Sequence, residues 1–133
     1  MDKVYQGGCD CGAVRYTVSG SMSDIMICHC GQCRRTSGHV GAFSGTLREN
    51  LEFSEDRGLK WYASSDHARR GFCSECGSSL FWDQLEGKGI GVAAGSLDTP
   101  TGLKTHAEIF VGDRSDYYQL APGVKNFKGD YEN

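Results

Sequence analysis

Seven cysteines in three short-spaced groups constrain this chain more than any other feature. They stand as Cys9-x-Cys11, Cys28-x-Cys30-x-x-Cys33 and Cys73-x-x-Cys76. An odd number of cysteines cannot pair off completely as disulfides within one chain. Thiolates at such spacings suit tetrahedral zinc. A redox Cys-x-x-Cys pair is the alternative, but a redox protein needs only one pair. The spacing therefore predicts metal sites.

The cysteines divide naturally into a group of three and a group of four. Cys28, Cys30 and Cys33 lie within six residues, so one tight turn can direct all three at one metal. The other four form two short-spaced pairs that lie far apart in sequence. Structural zinc sites are filled by four protein ligands, whereas reactive sites hold three and keep one position open. The count predicts one closed site and one open site.

Histidines offer another way to complete the smaller group. His29 or His106 could be its fourth ligand, which would make both sites structural. A histidine between two ligating cysteines generally points away from their metal, which weakens His29. His39 and His67 have no cysteine nearby in sequence. A surface or hydrogen-bonding role is the simpler expectation for each of the four.

Length and charge narrow the function classes. The 133 residues fit one zinc-binding domain over residues 1–133, with a formal charge of −3. Nucleic-acid-binding surfaces usually show a basic excess, so no nucleic-acid partner is expected. The basic pairs Arg34–Arg35 and Arg69–Arg70 each lie beside a cysteine group. Arg34 and Arg35 could offset the negative charge of the open site or hold a carboxylate of its ligand.

The sequence contains neither the pattern of a membrane helix nor that of a secretory signal. A membrane helix needs about 20 apolar residues, and the longest uncharged runs are far shorter. Residues 1–8 lack the basic start and apolar run of a secretory signal. Clustered reduced cysteines are typical of the cytosol. We therefore expect a cytoplasmic protein with no membrane partner.

Short apolar and alternating runs predict a mainly β fold with very little helix. Val14, Tyr16 and Val18 share one face of a strand, and Gln32–Thr36 is the best helical candidate. In the last predicted strand Glu108 points away from the face of Ala107 and Ile109. Glycines such as Gly71 and Gly91 are expected between strands or at their ends. The last dozen residues are expected to be loosely held. Strands are predicted at Val14–Val18, Ile25–Ile27, Val40–Leu47, Leu59–Ser64, Ser79–Asp83, Gly89–Ala94 and Thr105–Val111.

Three motif blocks resemble the glutathione-dependent formaldehyde-activating enzyme family, to which centromere protein V is also similar. They read GGCDCGAVRY over residues 7–16, CHCGQCRRTSG over 28–38 and RGFCSECGSSLFW over 70–82. GSLD over 95–98 and HAEIFV over 106–111 are similar to the closing strands of that family. The resemblance covers nearly everything from Gly7 to Tyr118.

The resemblance implies a β-tent fold of short antiparallel sheets held together by zinc. It implies a structural zinc on Cys9, Cys11, Cys73 and Cys76, and a second, catalytic zinc on Cys28, Cys30 and Cys33. It also implies a carbon–sulfur lyase whose founding reaction joins formaldehyde and glutathione into S-hydroxymethylglutathione. The expected partner is then a small-molecule thiol such as glutathione.

Three functions remain open at this point. The first is an enzyme that acts on a thiol or thiol adduct at the open zinc. The second is a carrier that binds a thiol without turning it over. The third is a zinc-stabilised interaction domain in which both metals are structural. The family motifs do not identify the substrate or the residues that contact it.

Overall fold

A computed structural model describes residues 3–132, and these residues form a mainly β protein with one short α-helix, as the sequence predicts. The helix, α1, spans Gly31–Ser37, and short 3-10 turns follow β4, β9 and β10. The strands are β1 (Val4–Gly8), β2 (Arg15–Ser19), β3 (Ile25–Cys28), β4 (Gly41–Leu47), β5 (Leu51–Glu55), β6 (Leu59–Ala63), β7 (Ala68–Cys73), β8 (Ser79–Gln84), β9 (Gly89–Ala93), β10 (Thr105–Ile109) and β11 (Lys125–Asn126).

The strands form two sheets. The smaller sheet has the order β1-β2-β5, and the larger has the order β11-β10-β3-β4-β9-β8-β7-β6. Most neighbours are antiparallel, but β10 runs parallel to both β3 and β11, which the strand pattern does not predict. Parallel pairing aligns Ile109 with Cys28, so the carboxyl end of β10 lies beside the second cysteine group.

The core lies between the two sheets. Val14, Tyr16 and Val18 are buried on one face, as their alternation predicts. The Tyr16 ring meets the edge of Phe81 from the larger sheet, with centroids 5.3 Å apart. Its hydroxyl lies 2.6 Å from the Ser96 hydroxyl, so the polar end of this buried ring is satisfied. The contact joins the strand after the first cysteine pair to the sheet that carries the others.

Four of the observed strands, β1, β5, β7 and β11, are not among the strands that the sequence predicts. β1 ends in two glycines, β7 contains Arg69 and Arg70, and β11 has only two residues, whereas β5 does alternate in burial. Gly71 lies inside β7 rather than at its end. The position requires glycine because a Cβ there would come within 2.9 Å of the Trp61 ring and 3.0 Å of Phe81. Gly91 likewise lies inside β9. These glycines make room for neighbouring rings rather than for turns.

The expectation of a loosely held C-terminus is wrong for the described residues. β11 pairs with β10, and the amide of Val111 donates to the carbonyl of Phe127 at 3.1 Å. The amide of Phe110 donates to the carbonyl of Gly129 at 2.8 Å. Backbone pairing of this kind leaves no signature in the side chains. None of the helices in residues 3–132 is long and apolar enough to cross a membrane.

Candidate metal centres

The first centre joins the turn after β1 to the turn between β7 and β8. Its four sulfurs, from Cys9, Cys11, Cys73 and Cys76, all lie within 4.8 Å of one another. The Sγ atom of Cys11 is 3.7 Å from that of Cys9 and 3.8 Å from that of Cys73. Four sulfurs about 2.3 Å from a tetrahedral zinc would be about 3.8 Å apart, whereas a disulfide needs about 2.05 Å. The donor set therefore fits zinc.

Hydrogen bonds favour the thiolate form at Cys9 and Cys76 of this centre. At Cys11 the Ala13 backbone lowers the pKa, but burial and the neighbouring thiols outweigh it and raise the pKa to about 12. The Val14 amide donates to Cys9 Sγ at 3.2 Å, and the Ser78 hydroxyl lies 3.2 Å from Cys76 Sγ. The hydroxyl and the backbone of Ser78 lower the pKa of Cys76 to about 5. Burial opposes ionisation of Cys9, but the Val14 amide and the neighbouring thiols leave its pKa lowered. Thiolates are the form that binds metal, so these contacts prepare the site.

Gly58 allows the two halves of the first centre to approach each other. A Cβ at this position would lie 2.7 Å from the Cβ of Ala13 and 2.8 Å from Cys73 Sγ. The Gly58 amide donates to the Ala13 carbonyl at 3.0 Å, and its carbonyl accepts from the Ser74 amide at 2.7 Å. The sequence shows Gly58 only as a turn residue, because the close approach depends on distant segments.

The second centre lies where β3 meets α1. Cys28 ends β3, Cys30 is the N-cap of α1, and Cys33 lies in the first turn. The three sulfurs lie within 4.8 Å of one another, and no histidine or carboxylate of residues 3–132 joins the group. Cys30 Sγ accepts a hydrogen bond from the Cys33 amide at 3.3 Å. The geometry brings together the three residues that the sequence grouped.

A glycine also makes room for this centre. Gly41 pairs with Cys28 across the β3–β4 ladder. A Cβ on Gly41 would lie 2.9 Å from Cys33 Sγ and 2.8 Å from the Phe43 ring. The helix can therefore press Cys33 against β4 only because this position has no side chain.

Arg70 is the arginine that contacts the second centre. Its side chain is only 8% exposed, and Nη2 lies 3.5 Å from Cys33 Sγ. Nε and Nη2 also donate to Gln32 Oε1 at 3.2 and 2.9 Å. The Cys28 thiol and then Arg70 lower the pKa of Cys33 to about 5, while the hydrogen bond to Cys33 and burial raise the pKa of Cys28. Arg70 thus favours a negative sulfur at Cys33.

Sequence position alone misses this role of Arg70. The residue stands three positions before Cys73, which belongs to the first centre. Its neighbour Arg69 turns to the opposite side of β7, where it donates to Asp83 at 2.8 Å and lies over the Trp61 ring. Alternation along a strand separates the two arginines, so only one of the pair reaches the second centre.

Arg34 and Arg35 do not donate to a cysteine sulfur in the described structure. Arg35 is exposed on α1. The Nε atom of Arg34 is buried without a hydrogen-bond partner among residues 3–132. The structure therefore places Arg70, and neither of these two, against the thiol group.

His29 points away from the sulfurs that flank it, as expected for a histidine in this position. It is buried, and its Nε2 lies 2.8 Å from Glu108 Oε1. Its Nδ1 bonds to the hydroxyl of Tyr118. His106 lies 3.2 Å from the Tyr131 hydroxyl. Both nitrogens of His29 are thus occupied, and neither histidine belongs to a cysteine group.

Glu108 does leave the face of Ala107, but it points into protein. The side chain is buried, because residues of the C-terminal segment cover it. Its Oε2 accepts from the Ala121 amide at 3.3 Å, while Oε1 faces His29. The sequence shows an acidic residue on a strand and cannot show the segment that lies over it.

Two concave surfaces share Phe43 in their lining. A cleft of about 320 Å³ separates α1 from β7 and includes Arg70 and Phe43. A groove of about 620 Å³ lies beyond Phe43, along β4, β9 and β8. Arg70 therefore touches both the cysteine group and the cleft.

Comparisons with known proteins agree with this geometry. The family model described as glutathione-dependent formaldehyde-activating enzyme matches residues 4–113. An uncharacterized lyase of Schizosaccharomyces pombe (strain 972 / ATCC 24843) is 30% identical over 128 residues, which cover 95% of this chain and 92% of the yeast protein. A crystal structure of a Rhodobacter sphaeroides protein superposes with a TM-score of 0.60 at 25% identity, covering 71% of this chain and 88% of the other.

Proposed function

The chain belongs to the glutathione-dependent formaldehyde-activating enzyme family, and from this premise we propose that it is a zinc-dependent carbon–sulfur lyase. Its proposed substrate is glutathione or a related thiol adduct similar to S-hydroxymethylglutathione. A relative of nearly the same length is named a lyase, which supports the reaction class. The cytoplasm is the proposed location, because seven free cysteines suit a reducing compartment.

The difference between the two cysteine groups is the observation that carries the proposal. Four sulfurs complete the first centre, while the second has three and no further ligand among residues 3–132. Zinc sites with three protein ligands are the ones that accept a substrate. We therefore propose that the first centre holds structural zinc and that Cys28, Cys30 and Cys33 hold catalytic zinc.

The proposed reaction joins a thiol to an aldehyde without any redox change. One carbon–sulfur bond forms, and the thiol proton ends on the former carbonyl oxygen; the reverse reaction breaks that bond. Zinc at the second centre would supply Lewis acidity and favour the thiolate form of the bound thiol. Arg70 keeps positive charge beside Cys33, and His29 holds the Cys28–Cys30 turn against β10. The protein thus supplies an ordered, partly charge-balanced thiol site.

A direct assay tests the proposal. Zinc-loaded protein is mixed with glutathione and formaldehyde, and formation of S-hydroxymethylglutathione is followed by NMR against the uncatalysed rate. We expect acceleration by the wild type and its loss in Cys30→Ser, with Ser19→Ala, an exposed change on β2, as the control. Binding of glutathione without acceleration would indicate a carrier or another substrate. Absence of binding at millimolar glutathione would favour an interaction domain.

A further inference from the structure

Arg70 lies at the junction between the second cysteine group and the cleft beside α1. Its guanidinium contacts Cys33 Sγ, and Arg70 is also one of the residues that line the cleft of about 320 Å³. The cleft lies between the end of α1 and β7, and Arg70 links it to the cysteine group through Cys33. Its other lining residues include Thr36, Phe43, Tyr62, Phe72 and Ser79.

The charge of Arg70 has no carboxylate partner in the described structure. The ion pairs of residues 3–132 use other arginines, and no acidic residue lines the cleft. Buried charges are normally paired, because removal from water is costly. The thiol of Cys33 offsets part of this charge, but the strongest partner for a guanidinium is a carboxylate.

The hydrogen bonds of Arg70 leave donors for such a partner. Nε and Nη2 are occupied by Gln32 and Cys33. Nη1 donates no hydrogen bond to residues 3–132, and it is not among their buried unpartnered atoms. Nη1 therefore keeps some exposed surface, and Arg70 is one of the residues that line the cleft.

We propose that Arg70 binds a carboxylate of the thiol substrate in this cleft, so that the site selects thiols that carry a carboxylate group. This inference rests on the proposed function of the second centre. The rings of Phe43, Phe72 and Tyr62 offer apolar contact to the carbon chain of the ligand. In this role Arg70 replaces Arg34 and Arg35, because of these three described arginines it is the one that donates to Cys33 and lines the cleft.

The test compares two thiols that differ in charge only. Calorimetry on zinc-loaded full-length protein measures binding of 3-mercaptopropionate and of its neutral amide. We expect wild type to bind the carboxylate at least tenfold more tightly, since a guanidinium–carboxylate pair is charge-assisted. Arg70→Gln should bring the ratio close to one, and Arg70→Lys should leave an intermediate ratio because lysine lacks the planar fork. Lys104→Gln, at an exposed position on the opposite end of the β3–β10 ladder, should keep the wild-type ratio.

A second variant keeps the test valid if Arg70→Gln does not fold. Tyr62 is 55% exposed on the edge strand β6 and lines the cleft. Tyr62→Glu should weaken binding of 3-mercaptopropionate at least threefold relative to Tyr62→Gln, while the amide binds both variants equally.

Equal binding of both thiols to the wild type would overturn the role of Arg70 and leave the proposed function standing. So would a charge preference that survives Arg70→Gln but disappears in Arg34→Gln or Arg35→Gln. If neither thiol binds the wild type although glutathione does, the inference fails alone; if glutathione also fails to bind, the proposed function fails with it.

Discussion

At the scale of single residues, one tyrosine in the core and two glycines beside the cysteine groups can each be tested by substitution. Tyr16 is buried and bonded to Ser96, and burial raises its pKa to about 12. Gly58 and Gly41 have no side chains, and each lies where a Cβ would strike a cysteine sulfur. These positions give direct tests of packing around the metal centres.

Tyr16 is expected to make stability sensitive to alkaline pH. Its pKa rises from 10.0 in the unfolded chain to about 12 in the fold, so between these values the unfolded state has lost the proton that the folded state keeps. Stability from this group is complete below pH 10 and is lost as pH rises towards 12. Denaturant titration should show wild type losing about 1 kcal/mol relative to Tyr16→Phe between pH 9 and pH 11. Parallel curves for the two proteins would contradict the burial of an un-ionised phenol.

Gly58→Ala is expected to damage the first centre. The new Cβ would overlap Ala13 and Cys73, so the segments must separate, at a cost of about 1–3 kcal/mol. Chemical unfolding measures the cost, and elemental analysis should show weaker metal retention. Gly95→Ala is the matched control, because a Cβ at Gly95 meets no atom within 4 Å. Equal stability of the two variants would show that the approach at Gly58 is not tight.

At the scale of structural elements, the two centres join different parts of the fold. The first ties the β1–β2 turn to the β7–β8 turn, and so connects the smaller sheet to the larger. The second lies within one local unit, the end of β3 and the start of α1. Loss of the first centre removes a long-range connection, whereas loss of the second removes a local one.

Cys73→Ser is therefore expected to destabilise the fold far more than Cys30→Ser. Cys73 is fully buried in β7, and metal bound at its centre would contribute its binding energy to folding. Cys30→Ser keeps a side chain that can cap α1, because serine is a preferred N-cap residue. Thermal unfolding with metal analysis should show a folded Cys30→Ser protein that retains one metal. Equally severe unfolding of both variants would contradict the division into structural and reactive sites.

At the scale of the whole molecule, the expected metal content follows from the two centres. Four sulfurs hold a metal more firmly than three with an open position. Elemental analysis of gently purified protein should approach two zinc ions per chain and fall towards one after mild chelation. The retained zinc should stay in Cys30→Ser. A metal-free chain with unchanged stability would contradict both centres.

The sequence by itself determines the division of cysteines, the buried face of β2 and the family. Each of these depends on residues close together in sequence, where spacing and alternation report geometry directly. The orientation of His29 away from the flanking sulfurs is predictable too, because it depends only on its position between Cys28 and Cys30. The helical turn after Cys30 is also predicted, because the cysteines that frame it require a tight turn.

Only the tertiary structure decides which charged residues serve the second centre. Arg70 is close in sequence to the first centre but reaches Cys33, because β7 and α1 border the same cleft. In the sequence Glu108 has the pattern of a solvent-exposed acid. In the structure its carboxylate accepts from the Ala121 amide of the C-terminal segment and faces His29. Both placements arise from contacts between segments far apart in the chain, and one-dimensional spacing carries no record of such contacts.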